Sequence, residues 1–379
     1  MWTTVTLGEV VSFIRGLTYS KKDEVDIGGL AVLRATNISL EQRKIVYDEI
    51  RHIRPPEKIN EDKLAKVGDL LMCTASGSKS HLGKVALVTE DLGMAFGGFM
   101  AALRCNPSCS PKFLFYVLTS NLFIKKLSSI SEGANINNLK FSQIEDFEFQ
   151  LPPLAEQQRI VAKLDAAFAE IDEMSVSVIT TSKYLETLRI QSINEIIVKN
   201  STEIITKPLH ALFKLSSGKF LSKKQMQDDG DVKVYGGNGV AGTHNVSNLE
   251  GQNVLIGRVG AKCGNVHFVN ENIWLTDNAM YVHSLQDEFD LEFLTIILAS
   301  LSLGSYARQA AQPVISFSSI KDVAVSFPLS LEEQNVIVKE LHKFDASIGA
   351  LDNVYGCKAK QLRALKAAIL AQELQSEAA

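Results

Sequence analysis

Apolar positions recur every seven residues over two stretches of the chain and alternate in short runs elsewhere. In the first stretch Leu164, Ile171, Val178 and Leu185 are spaced by seven, with Val161 and Phe168 on the partner positions. In the second, Leu341, Ile348, Tyr355, Leu362 and Ile369 share that spacing, and Ile337, Phe344, Leu351 and Leu365 fill most of the alternate positions. Sustained heptad spacing predicts a helix with one apolar seam, as in a coiled coil. The first helix is expected over 153–199, because Pro152-Pro153 suits a helix start and not its interior. The second is expected over 330–375, opened by a capping box of Ser330 and Glu333. At about 1.5 Å per residue each reaches roughly 70 Å. Residues 175–182 are poor in helix formers and leave room for a bend, and Gly349 and Gly356 each weaken the second helix by about 1 kcal/mol relative to alanine. Two helices of similar length, each with one seam, pack most simply on each other. The packing set is then Val161, Leu164, Phe168, Ile171, Val178 and Leu185 with Leu341, Phe344, Ile348, Leu351, Tyr355 and Leu362.

Residues 1–150 alternate short apolar runs with Gly, Asn and Ser, the pattern of a strand-rich α/β (α+β) domain. Strands are expected at 67–72, 84–89 and 99–104, and a helix at 112–126. Four segments result: a domain at 1–150, a helix at 151–200, a second domain at 201–326 and a second helix at 327–379.

The second domain repeats the first. Phe141, Ser142, Ile144 and Asp146 recur 176 positions later as Phe317, Ser318, Ile320 and Asp322. Leu154, Glu156, Gln157, Ile160, Val161 and Leu164 recur 177 positions later. Gly16, Ser20, Lys21 and Lys22 match Gly218, Ser222, Lys223 and Lys224 at an offset of 202. The falling offset makes the second copy about 25 residues shorter. So long a repeat is a duplicated domain rather than a solenoid of short units. Two copies in one chain make a pseudo-twofold molecule, suited to a two-part DNA target.

Composition narrows the class. Hydrophobic content of 46% and charged content of 22% are ordinary for a globular protein. The opening Met1-Trp2-Thr3-Thr4 lacks the basic start and apolar core of a secretory signal. The longest apolar run, 294–303, is too short to span a membrane. Five cysteines, an odd number, suit free thiols in a reducing, cytoplasmic compartment. Cys105 and Cys109 lack a second pair or a nearby histidine, so no metal site is expected. Net charge is −4, against the basic excess of an autonomous DNA binder. Residues 1–150 carry 18 basic and 17 acidic side chains, and residues 201–326 carry 10 and 12. A nucleic-acid surface must be local, or another subunit must supply the bulk phosphate affinity.

No catalytic signature is present. Gly77 to Val85 has one residue too many between its glycines, and Val where a phosphate loop needs Ser or Thr. No nucleophile elbow, zinc-binding His-Glu-x-x-His or amino-methyltransferase tetrapeptide occurs. Polar loops at matching places carry the candidate chemistry instead. Thr74, Ser76, Ser78, Lys79, Ser80 and His81, with Lys84 beyond, follow one expected strand. Arg258 and Lys262 follow its counterpart, between glycines that let backbone approach a ligand. Their donors suit phosphates and base edges, with Arg258 the better base reader because its planar fork matches guanine. Arg34, Thr36 and Asn37, and Tyr235 and Asn238, form a second pair of candidate loops. Lys21 and Lys22, and Lys223 and Lys224, are candidate phosphate contacts.

These residues carry a resemblance to the specificity subunit of type I restriction-modification systems, covering nearly the whole chain. Its most specific part is the helix entry Leu151-Pro152-Pro153-Leu154-Ala155-Glu156-Gln157. Val5 to Val10 and Gly68-Asp69-Leu70-Leu71 also resemble the family. The second copy departs at Phe327-Pro328-Leu329-Ser330, where the second proline is lost. The resemblance implies two target-recognition domains held apart by two antiparallel helices. Each domain would read one half of a bipartite site in double-stranded DNA. The helices would set the spacer and dock two methyltransferase subunits, which would bind S-adenosylmethionine. Restriction and motor subunits would join for cleavage, and this chain would hold no cofactor and catalyse nothing itself. The alternative is an adaptor whose duplicated ligand-binding domains scaffold proteins without DNA.

Overall fold

The computed structural model describes every residue except 27, 56–59, 79–80, 133–137, 261, 287–288, 309–312 and 376–379. The chain divides into two compact units, Met1–Ser177 with Lys358–Ala379, and Val178–Cys357. The two long helices, Leu154–Lys199 and Leu331–Gln375, each contribute to both.

The first unit is an α+β fold. Strands Val11–Arg15, Met100–Cys105, Leu70–Cys73 and Val85–Leu87 form an antiparallel sheet in that order. A second sheet orders Glu24–Val25, Arg51–Ile53, Leu30–Leu33 and Ala95–Phe96, the last pair parallel. Thr3–Thr6 pairs with Glu148–Leu151 just before the central helix. Apolar residues of the first sheet pack with Phe113, Leu114 and Val117 of the helix Pro111–Thr119. Leu164 of the central helix and Leu370 and Leu374 of the C-terminal helix join the same core. The single helix expected over 112–126 is two, Pro111–Thr119 and Asn121–Glu132. Ser120 breaks it by turning extended, and its hydroxyl donates to the Val117 carbonyl at 2.6 Å.

The second unit repeats this plan with less material. Strands Lys214–Ser217, Ala279–His283, Gln252–Gly257 and Val266–Asn270 form the same antiparallel order. Gly239–His244, Val232–Gly236 and Ile273–Leu275 form the second sheet, again with its last pair parallel. Ile205–Pro208 pairs with Ala324–Phe327. The shortening falls in the second sheet. A tight hairpin, Val232–Gly236 to Gly239–His244, replaces the long connection that follows Leu33 in the first unit.

Both long helices match the expected spans to within a residue, and residues 175–182 stay helical. The Ser175 hydroxyl donates to the Ile171 carbonyl at 2.7 Å, so this polar stretch is satisfied inside the helix. A stripe at heptad spacing is buried: Gln157, Leu164, Ile171, Val178, Leu185 and Ser192. In the first unit Lys163 pairs with Glu373 at 2.6 Å and Asp172 with Lys366. In the second, Arg189 pairs with Asp345 at 2.8 Å and Lys199 with Glu340 at 2.6 Å. In each unit the partner's number falls as the central helix advances, so the helices run antiparallel there. Leu341 and Leu362 are buried, while Val161, Phe168, Phe344, Ile348 and Tyr355 are half-buried. Leu351 corrects the expected packing set, being 47% exposed. Two helices cover one stripe of each other, and Leu351 lies on the flank of that stripe.

The glutamine of the repeated Glu-Gln pair anchors each long helix to its own unit. Gln157 is fully buried, accepts from Ser110 N at 2.7 Å, and donates to the Ser108 and Pro152 carbonyls at 2.9 and 2.7 Å. Gln334, equally buried, accepts from Asp290 N at 2.9 Å and donates to the Pro328 carbonyl at 2.9 Å. Ser110 and Asp290 are the N-cap residues of the helices Pro111–Thr119 and Leu291–Ser300. The clasp thus ties a long helix to the start of a shorter one.

Candidate nucleic-acid interface

Each unit fastens the loop after its buried central strand by the same main-chain bonds. In the first, Thr74 N and Ala75 N both donate to the Phe99 carbonyl, at 2.9 and 3.2 Å. The Thr74 carbonyl accepts from Leu139 N at 2.6 Å, and Ala75 bridges Asn138. In the second, Arg258 N and Val259 N donate to the Asn278 carbonyl, at 2.8 and 3.3 Å. The Arg258 carbonyl accepts from Ile315 N at 2.9 Å, and Val259 bridges Val314. The loops end alike, with Gly83 N on the Cys73 carbonyl at 2.8 Å and Gly264 N on the Gly257 carbonyl at 2.7 Å. Both glycines have positive φ, and a Cβ on Gly264 would lie 2.3 Å from Gly304 N. A side chain is excluded there.

The turns at 97–99 and 276–278 are hubs. Leu33 O accepts from Gly97 N at 2.8 Å, and Tyr235 O from Thr276 N at 2.9 Å. Leu17 N donates to Phe96 O at 2.7 Å, and Lys219 N to Leu275 O at 2.9 Å. Each hub therefore gathers three segments singled out in the sequence: the loop after the central strand, the segment at 34–37 or 235–238, and the strand leading to the lysine pair. The side chains on this shared frame differ, Thr74-Ala75 against Arg258-Val259 and Phe99 against Asn278.

The side chains divide into floor and surface. Thr74 and Lys84 are buried. Lys84 Nζ donates to the Ile38 carbonyl at 2.7 Å and lies 3.2 Å from His81 Nδ1, and burial pushes its pKa down. Asn37 is buried too; its amide donates to the Val46 and Asp48 carbonyls at 3.1 and 2.7 Å and its oxygen accepts from Arg34 N at 2.9 Å. These three residues are buried in the scaffold. Arg34 is half-buried, donates to the Glu49 carbonyl at 3.1 Å and lies 4.0 Å from its carboxylate. Thr36 and Ser78 are exposed, and Ser76 and His81 half-buried. Lys79 and Ser80 lie outside the described residues.

In the second unit Arg258 is half-buried and reaches the Asp277 carbonyl at 3.4 Å. Lys262 and Asn238 are exposed. Tyr235 is half-buried; burial first, then the charge of Glu271, pushes its pKa up. A Cβ on Gly237 would lie 2.5 Å from the Val259 carbonyl, so the Tyr235–Asn238 turn is packed on the Arg258 loop. The lysine pairs sit in the same capped turn in both units. Ser20 N donates to Asp23 at 2.7 Å and Ser222 N to Gln225 at 3.0 Å, which leaves Lys21, Lys22, Lys223 and Lys224 exposed. The recurring serine is thus explained by capping, and the recurring lysines are not.

Sequence patterning missed Phe99 and Asn278. Phe99 was read as the first residue of an expected strand and Asn278 was not singled out; the Gly97-Gly98 pair before Phe99 was the available sign of a turn. Among the described residues no cluster of His, Cys, Asp or Glu is placed to hold a metal, and no helix is long and apolar enough to cross a membrane.

This architecture defines a duplicated α+β protein with one loop-bearing hub in each unit and two long helices. The chain belongs to the family described as type I restriction modification DNA specificity domain, whose model matches residues 1–179 and 201–353. It is 32% identical over 177 residues to the type I restriction enzyme StySPI specificity subunit of Salmonella potsdam, covering 45% of this chain and 37% of that one. The EcoKI specificity subunit of Escherichia coli matches with the same identity and coverage. The chain therefore spans well under half the length of these curated relatives. A chain in a solved structure of the type I R-M system superposes with a TM-score of 0.72 at 20% identity, covering 99% of this chain and 98% of that one. That likeness is one of fold.

Proposed function

We propose that this chain is the DNA-reading subunit of a type I restriction-modification complex. Each hub reads one half of a bipartite target in double-stranded DNA, and residues 1–150 and 201–326 are the two recognition domains. The observation that carries this reading is the pair of matched hubs: one main-chain frame, built twice, presenting different side chains. Such a frame holds loops in a constant pose while their readers vary, as two half-sites of unlike sequence require. The two long helices set the gap between half-sites. Their uncovered apolar flanks, including Leu351, receive two methyltransferase subunits that bind S-adenosylmethionine and supply most phosphate contacts, and restriction and motor subunits add to these. That division of labour suits a net charge of −4.

Mapping methylated adenines in a host carrying this gene and its methyltransferase tests the reading. The expected result is one motif of two defined parts separated by a fixed undefined gap. Arg258→Ala should relax one position of one half-site, at a cost of about 1–3 kcal/mol. A continuous motif, or methylation unaffected by loss of this chain, would overturn the proposal.

A further inference from the structure

The chain has 18 phenylalanines, and among the described residues only Phe99 and Phe220 of these are exposed, at 71% and 72%. One lies in each unit, and both lie at the hub. Phe99 stands on the hub turn of the first unit, with its carbonyl holding Thr74 and Ala75. Phe220 follows Lys219, whose N–H is fastened to Leu275, immediately before the hub turn of the second unit. The matching fastening in the first unit is made by Leu17, so Phe220 occupies the place of Thr18 there. The two positions lie on adjoining segments of the frame, since Thr18 Oγ1 would lie 3.3 Å from a Cβ on Gly98. A solitary exposed apolar residue needs no explanation. Two rings of one kind, placed once per repeat beside the same turn, do.

The setting selects their partner. Phe220 is flanked by exposed Lys219, Lys223 and Lys224, and the Phe99 carbonyl holds the start of the loop that carries Ser76 and Ser78, whose clasp at Leu139 adjoins exposed Lys140. Apolar rings flanked by ammonium groups fit a duplex groove, where an apolar side chain meets a thymine methyl or wedges into a base step between phosphates. They do not fit the core of a protein interface, where lysine and serine are depleted. We infer that Phe99 and Phe220 are base-contacting residues, one for each half of the DNA target, each placing its ring on a base or base step. This rests on the DNA-reading function proposed above.

The test uses the full chain assembled with its methyltransferase, titrated against the mapped target duplex and against duplexes with single mismatches in either half. Phe99→Ala and Phe220→Ala should each weaken cognate binding about 5- to 150-fold, the cost of one lost base-pair contact. Each should lose discrimination in one half-site only, and in different halves. The dependence on salt should stay that of the wild type, because no phosphate contact is removed. Phe99→Tyr and Phe220→Tyr, which keep the ring, should restore most of the affinity. Neither alanine substitution empties a core, so thermal unfolding should be unchanged. Wild-type affinity and discrimination in both alanine variants would overturn the inference and leave the DNA-reading function standing. Impaired assembly with the methyltransferase would also overturn it, by making the rings a protein contact. Failure of the wild-type complex to distinguish either half-site would overturn both.

Discussion

Gln157 shows how much one buried amide can hold. Its oxygen and nitrogen satisfy one main-chain N–H and two carbonyls, in one buried and two part-buried bonds. Gln157→Ala strands those groups, and each unpaired buried group costs about 1–3 kcal/mol. Urea unfolding of the whole chain should show a loss of about 3 kcal/mol or more, whereas Gln158→Ala, on the exposed face, should change little. An equal loss in both variants would argue against the clasp. Gln334 makes the same kind of attachment in the second unit. The Glu-Gln pair was legible in the sequence as a repeated helix entry. Its role was not, because the partners that tie it to a second helix lie on Ser108, Ser110 and Asp290, more than 40 positions away along the chain.

The helices show where local pattern suffices and where it does not. Their spans follow from heptad spacing, proline and a capping box, all read within a few residues. Which side of each seam is covered depends on the partner helix, so Leu351 could not be assigned from spacing alone. Gly349 and Gly356 are exposed, and a Cβ on either meets nothing within 4 Å. Alanine at each position should therefore stabilise the helix, by about 0.5–1 kcal/mol apiece. The double variant should raise the unfolding midpoint of the isolated chain. A fall would mean that the glycines answer to a backbone approach absent from this chain alone.

The whole molecule is two copies of one fold, and this has a functional consequence under the proposed reading. Exchanging residues 201–326 for those of another family member should change one half-site of the methylated motif and leave the other half and the gap intact. Motif mapping in the same host measures this directly. A change in both halves would show that the hubs do not read independently. Each unit's core is closed by residues of both long helices, Leu164 and Leu370 in the first and Ile197 and Ile337 in the second. The exchange therefore has to leave the helices untouched.

The duplication, the long helices and the α+β character of each repeat were determined by the sequence itself, because periodicity and repetition are local or self-referring signals. The same holds for the polar loops after the central strands and for the recurring lysine pairs. Only the tertiary structure divided the candidate site into parts. It put Asn37, Thr74 and Lys84 into the floor, since their hydrogen bonds and burial depend on segments distant in the chain. It also revealed the hub turns, which are built almost wholly from main-chain N–H and carbonyl groups. Such bonds leave no residue signature, so Thr-Ala and Arg-Val can occupy one frame.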